Sequence, residues 1–343
     1  MLAPLTTALT IFVTVLAYLT SRNFISRASQ SSSSVLSNMV NATKAPVYFI
    51  SHGGPPTMFE HTHPAYQHWL EWGKEVRTLH DQGVIRGLVF VSAHWQAEDL
   101  SQGVYLNVDE KNPLVYDFYG FPDHFYKQKV ESSNPSNLSA LVLEHLRDSG
   151  LPVYPVNRGI DHGVWCPLKV AFQRPYLEDL CPEQRKSQRA SIDTPSILPS
   201  TLSLTQVSLP TSDSSMDSLK LGASLRGLRE QGFAIVGGGM SVHNLHDMMR
   251  SFASADGRGL GKLQPNSYSV TFLKALDEAM TVPSAARDED KWSNALKLEQ
   301  RSDFLSAHPT PEHFLPVLIA LGAAHADEQG KLTFAHDEGP MGW

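Results

Sequence analysis

The sequence predicts an α/β protein: a single domain with a largely parallel central sheet flanked by helices. Three observations carry that expectation. Short β-rich apolar runs recur along the chain, each bounded by glycine or a turn, as strands covered on both faces require. Stretches with helical spacing of large apolar residues lie between those runs. Of the 343 residues, 41% are hydrophobic and 18% charged, which allows a sizeable core and argues against global disorder.

Taken in order, the first segment is a leader. Ile11–Leu19 is its densest apolar stretch, no acidic residue precedes Glu60, and Arg22, Arg27 and Lys44 follow. A signal anchor, a cleaved secretory signal and a mitochondrial presequence all fit this pattern. Roughly 17–19 mainly apolar residues just reach the minimum for a membrane span. Residues 2–19 are therefore a candidate membrane anchor, with the following positive charges holding the rest of the chain on the cytoplasmic side. Residues 1–44, with the Ser-rich linker at Gln30–Ser34, are read as lying outside the fold, and 45–343 as the domain.

Within the domain, Val47–Ser51 is a predicted strand ending at His52, Gly87–Ala93 a second ending at His94, and Phe233–Gly237 a third leading to His243. Pro64–His80 carries Trp69, Trp72 and Val76 at helical spacing. Ser136–Ser149 gathers Leu138, Leu141, Val142 and Leu146 on one side. Leu219–Gln231 repeats leucine and closes at Gly232, a residue suited to the position just past a helix end. Residues 182–205, rich in Ser, Thr, Gln and Pro, read as a mobile surface insertion.

Charge and motifs exclude several function classes. A net charge of -7, without a clustered basic surface, excludes nucleic acid as the main partner. The two cysteines, Cys166 and Cys181, make neither a disulfide framework nor a zinc knuckle. No HExxH, GxSxG or phosphate-binding loop occurs. The glycine run from Gly237 has Val242 where a dinucleotide fingerprint needs glycine.

Histidine is the unusual count, at 15. A strand-terminal histidine is by itself more often a packing or surface residue. Three at equivalent strand ends, His52, His94 and His243, would converge on one crevice, because ligands in open α/β sheets bind beyond the carboxyl ends of strands. His162, between Asp161 and Gly163, is either part of a turn in which Asp161 caps the next helix, or a proton donor or acceptor. Thr310 and Pro311 open a predicted helix with His313 in its first turn. Neutral imidazoles suit Fe(II), Zn, Ni or Cu, and two histidines with a carboxylate suit oxygen-activating Fe(II). His52 and His94 supply two imidazoles; Glu312, His313 and His243 stand open as the third ligand.

Six segments in order resemble the DOPA dioxygenase group of the class III extradiol ring-cleavage dioxygenases. They are Ser51–Pro55 (SHGGP), Val91–Trp95 (VSAHW), Tyr116–Pro122 (YDFYGFP), Gly159–Trp165 (GIDHGVW), Val242–Leu245 (VHNL) and His308–Pro316 (HPTPEHFLP). The resemblance implies one α/β domain and a metal held at His52, His94, His243 and His313. Similarity to protocatechuate-type relatives implies instead two histidines and a glutamate on iron, with His162 and His243 handling protons. It further implies insertion of O2 into a catechol, DOPA-like, to give a semialdehyde, with Fe(II) expected for turnover and Zn(II) as an alternative bound metal. Tyr116, Phe118 and Trp95 are the expected substrate wall. A zinc hydrolase and a catalytically silent metal-binding protein are the competing readings.

Overall fold

In the computed structural model the described residues are 44–99, 102–174, 195–254, 263–283 and 287–343. The strands in chain order are β1 Val47–Ser51, β2 Gly87–Gln96, β3 Val104–Asn107, β4 Val130–Glu131, β5 Val153–Val156 and β6 Ser196–Ile197. They continue as β7 Ser203–Leu209, β8 Phe233–Gly239, β9 Val242–His243, β10 Asp337–Glu338 and β11 Met341–Gly342. The α-helices are α1 Pro64–Asp81, α2 Ser136–Asp148, α3 His162–Ala171, α4 Ser215–Leu225 and α5 Leu245–Ser254. After them come α6 Ser267–Met280, α7 Asp288–Leu296, α8 Phe304–Ala307 and α9 Leu315–Ala323.

Six strands form the central sheet in the order β1-β8-β2-β7-β3-β5. Every neighbouring pair is parallel except β3 with β7. Successive residues of β2 divide between two apolar layers, as the two-residue period of a strand requires. Val89 and Val91 pack with Leu138, Leu221, Leu225 and Leu318 of α2, α4 and α9. Leu88 and Phe90 pack with Trp69, Trp72 and Val76 of α1 and Trp165 of α3. The sheet is thus covered on both faces, which is why its middle strands read as continuous apolar runs. Lys44–Trp343 forms one compact unit.

Several predicted boundaries shift. β2 runs on through Gln96, with an irregular register between Val91 and Gln96, so His94 lies within the strand rather than after it. The helix expected over Leu219–Gln231 begins at Ser215, where the Ser214 side chain accepts the Asp217 amide. Its last turn tightens to a 3-10 helix over Arg226–Gln231 and ends at left-handed Gly232. His313 sits in a 3-10 turn, Pro311–His313, that leads into α9.

The proposed insertion needs the largest correction. Residues 175–194 lie outside the described residues, but Ser203–Leu209 is a fully buried strand in the centre of the sheet. Its polar side chains face partners rather than solvent: Thr205 Oγ1 donates to the Asn107 carbonyl and Gln206 to Asp161. The leader through residue 43, with the candidate anchor 2–19, also lies outside the described residues. Among the described residues no helix is long and apolar enough to cross a membrane.

Candidate metal centre and active site

β1, β8 and β2 are adjacent and parallel, so their carboxyl ends share one edge. That edge brings together His52 just past β1, His94 near the end of β2 and His243 in β9 after β8. His313 arrives from the turn before α9, whose backbone lies across the end of β8. The Met240 amide donates to the His313 carbonyl at 3.0 Å. A Cβ on Gly239 would stand 2.5 Å from that carbonyl oxygen, and one on Gly237 would stand 2.2 Å from the Pro316 oxygen. The glycine run in β8 therefore serves this close crossing, not a nucleotide.

His94 Nε2 lies 3.2 Å from His52 Nε2 and 3.2 Å from His313 Nε2. The outer nitrogens of two of these rings are already engaged. His52 Nδ1 donates to the Gly53 carbonyl at 2.7 Å, and His313 Nδ1 donates to Glu312 Oε1 at 2.8 Å. Each Nε2 of that pair is then a bare lone pair turned towards His94. Burial lowers the pKa of His52 to about 3, with repulsion from His162 adding to it. Burial likewise holds His94 and His313 well below the ordinary histidine value, helped by the neighbouring imidazoles. Near neutral pH all three rings are therefore uncharged, each with one N–H and one lone pair. Bonds of 2.0–2.1 Å to one ion would set ligand nitrogens roughly 3.0–3.4 Å apart, matching the observed spacing. The three residues fit a divalent transition metal.

Glu312 stands behind His313 on its Nδ1 side and also accepts from Thr310 Oγ1 at 2.9 Å. It orients the imidazole, as carboxylates commonly do for metal-binding histidines. His243 lies beside the trio, its ring stacked on His313 with centroids 3.5 Å apart. Burial, then repulsion from His52, lowers its pKa to about 3.

His162 is the first residue of α3 and packs against His94, ring centroids 3.9 Å apart. Asp161 occupies the cap position without capping: its buried carboxylate accepts from Ser92, Arg158 and Gln206 instead. The amide of His162 is met from a different loop, by Asp117 Oδ1 at 3.0 Å. Asp117, Ser92, Arg158 and Gln206 were not singled out from sequence. Asp117 lies inside the quoted YDFYGFP segment, but an acid between aromatics carries no signal of which imidazole it will meet.

The expected substrate wall divides. Phe118 stands edge-on to His162 at 5.7 Å, backed by Tyr116 and Trp165. Tyr116 is anchored by its hydroxyl donating to the Gln128 carbonyl. Trp95 is not brought to the cluster in the same way: its ring stacks on Tyr105 and lies under the Arg158 guanidinium.

A second group, His63, His336 and Glu338, also gathers metal-binding side chains. His63 Nδ1 accepts the Ala65 amide at the start of α1, so Nε2 carries the proton and donates to Glu338 Oε2 at 3.1 Å. With both nitrogens committed, this group is a clamp between the start of α1 and the C-terminal strap, residues 336–343 with β10 and β11.

Fold and site together define an α/β enzyme built around a metal-competent histidine cluster at the strand ends. The family model described as the catalytic LigB subunit of aromatic ring-opening dioxygenase matches residues 46–340, and the chain belongs to that family of non-haem extradiol dioxygenases. A 4,5-DOPA dioxygenase extradiol-like protein of Schizosaccharomyces pombe is 30% identical over 69% of this chain and 67% of its own. A 4,5-DOPA dioxygenase extradiol of Beta vulgaris is 26% identical over 83% of this chain and 89% of its own. The crystal structure of an uncharacterized Escherichia coli protein superposes with a TM-score of 0.60 at 21% identity. It covers 87% of this chain and 97% of the other, a likeness of fold.

Proposed function

We propose that this protein opens the ring of a catechol, DOPA-like in kind, beside its diol, inserting both atoms of O2 to give a semialdehyde. The observation that carries the reading is the convergence of three Nε2 atoms, with the bare lone pairs of His52 and His313 both turned on His94. His52, His94 and His313 would hold Fe(II), because zinc is redox-inert and cannot by itself activate oxygen. Bound there, the ion would bring catecholate and oxygen to one centre and let charge pass between them. The relatives' names supply the DOPA-like substrate class.

The chain's own residues do the rest. Phe118 and Tyr116 wall the side on which His162 lies, offering flat apolar surface to an aromatic ring. His162 manages a proton beside the cluster. His243, outside the converging trio, is assigned a second proton-handling role rather than a ligand's place.

The test is oxygen uptake by protein loaded anaerobically with Fe(II), across a panel of catechols that includes DOPA. A yellow ring-opened product is expected, absent with His52→Ala. No uptake with any catechol would sink the reading.

A further inference from the structure

We infer that Asp117 is a positioning residue that fixes the tautomer of His162, making its Nε2 a proton acceptor in the resting enzyme. The inference rests on the proton-handling role given to His162 above. It deepens that role by naming the group that imposes its direction.

The geometry is a two-point clamp. Asp117 Oδ1 accepts the backbone N–H of His162 at 3.0 Å, while Oδ2 accepts from its Nδ1 at 2.9 Å. One carboxylate thus ties down both the main chain and the ring of the same residue. An ionised carboxylate can only accept, so Nδ1 must carry the hydrogen. In its neutral form the imidazole then has its single lone pair on Nε2, at the opposite edge of a ring packed 3.9 Å from His94. Phe118, the next residue in the chain, closes on the same ring edge-on. A proton leaving a bound catechol hydroxyl can go to Nε2. The cation so formed would be held by the Asp117 carboxylate already in contact with its other side.

Asp117 Oδ2 also lies 3.5 Å from His94 Nδ1. A purely structural role, acting through the proposed metal ligand, is therefore the competing account, and the test must separate the two.

Asp117→Asn does so because an amide offers one acceptor where the carboxylate offers two. The backbone N–H of His162 cannot turn away, so the amide oxygen must face it. The NH2 group then faces Nδ1, which must give up its hydrogen, and the proton moves to Nε2. Nitrogen-15 NMR of the zinc-loaded protein reads this directly. Wild type is expected to show His162 protonated at Nδ1, and Asp117→Asn at Nε2. With Fe(II), kcat should fall by roughly 10²–10⁴, the range of a lost general base, at unchanged metal stoichiometry. His162→Ala combined with Asp117→Asn should be no slower than His162→Ala alone, since the two act as one unit.

Wild-type His162 protonated at Nε2 would overturn the inference without any variant. So would additive losses in the double variant, or a loss that follows reduced metal content at unchanged turnover per bound metal. If no catechol is turned over by wild type while both NMR expectations hold, the clamp stands and the dioxygenase reading falls.

Discussion

At the scale of single residues, the proposed metal site makes the sharpest predictions. His94 Nε2 sits between those of His52 and His313. Replacing any of the three by alanine removes a converging donor, and stoichiometric metal after desalting should be lost, as elemental analysis would read. His243 is different, because its ring stacks on that of His313. His243→Ala is expected to keep its metal and lose turnover; loss of metal instead would make it a fourth ligand. Glu312→Ala leaves His313 Nδ1 without its acceptor. Outer partners of this kind are typically worth about 10–100-fold in metal affinity, which competition with a chelator would measure. His52, His94 and His313 were legible in sequence because each stands at a predicted element's end in a stiff glycine- or proline-flanked context. The choice among Glu312, His313 and His243 was not. Sequence does not show which ring edge faces inward; the crossing over β8 turns His313 Nε2 towards His94.

The C-terminal strap is the element that ties the site's edge together. β11 pairs with β9, setting Met341 opposite His243, and Trp343 lies directly against Gly53. Gly53 is left-handed, and a Cβ there would come within 2.1 Å of the Trp343 ring. The strap is held to α1 by His63 donating to Glu338. Glu338→Ala leaves that buried N–H without an acceptor, at a cost of about 1–3 kcal/mol. The thermal midpoint should drop by several degrees, and the spectrum of His243 should change with it. An unchanged midpoint would show the clamp to be incidental. The strands β1, β2 and β8 and the helices α1 and α2 were legible because their apolar residues recur at the right period. β7 was not, since Ser203, Thr205, Gln206 and Ser208 give it the composition of a surface loop. Those polar residues are buried because Gln206 holds Asp161 and Thr205 holds Asn107. Sequence composition reports polarity but not whether a partner waits inside. α3 was legible only through Asp161, read as a cap before a helix; it is buried on every side and carries Pro167, so no amphipathic period marks its length.

At the scale of the whole molecule, the gathered histidines make stability depend on pH when metal is absent. Burial lowers His52 and His243 to about 3 and His308, packed among Phe272, Phe304 and Phe314, to about 4. In the unfolded chain each returns to the ordinary value near 6.5. Below about pH 6.5 the unfolded chain therefore takes up protons that the folded chain refuses, and folding stability falls as pH falls. Each such histidine contributes up to about 1.4 kcal/mol per pH unit until its folded value is reached. Asp161 opposes this, because burial and then repulsion from Asp117 raise its pKa. Urea unfolding of metal-stripped protein should show a midpoint that changes little above about pH 6.5 and drops progressively from there to pH 5, at an unchanged m-value. A flat midpoint over that range would mean that the histidines are not buried neutral in the folded chain. Zinc added at pH 7.5 should raise the midpoint by binding only the folded state, about 2.7 kcal/mol at a hundredfold excess over Kd. That gain should shrink on acidification, because protons compete for the same Nε2 lone pairs. In His94→Ala the zinc-dependent gain should vanish while much of the pH slope persists, since His308 and His243 remain buried.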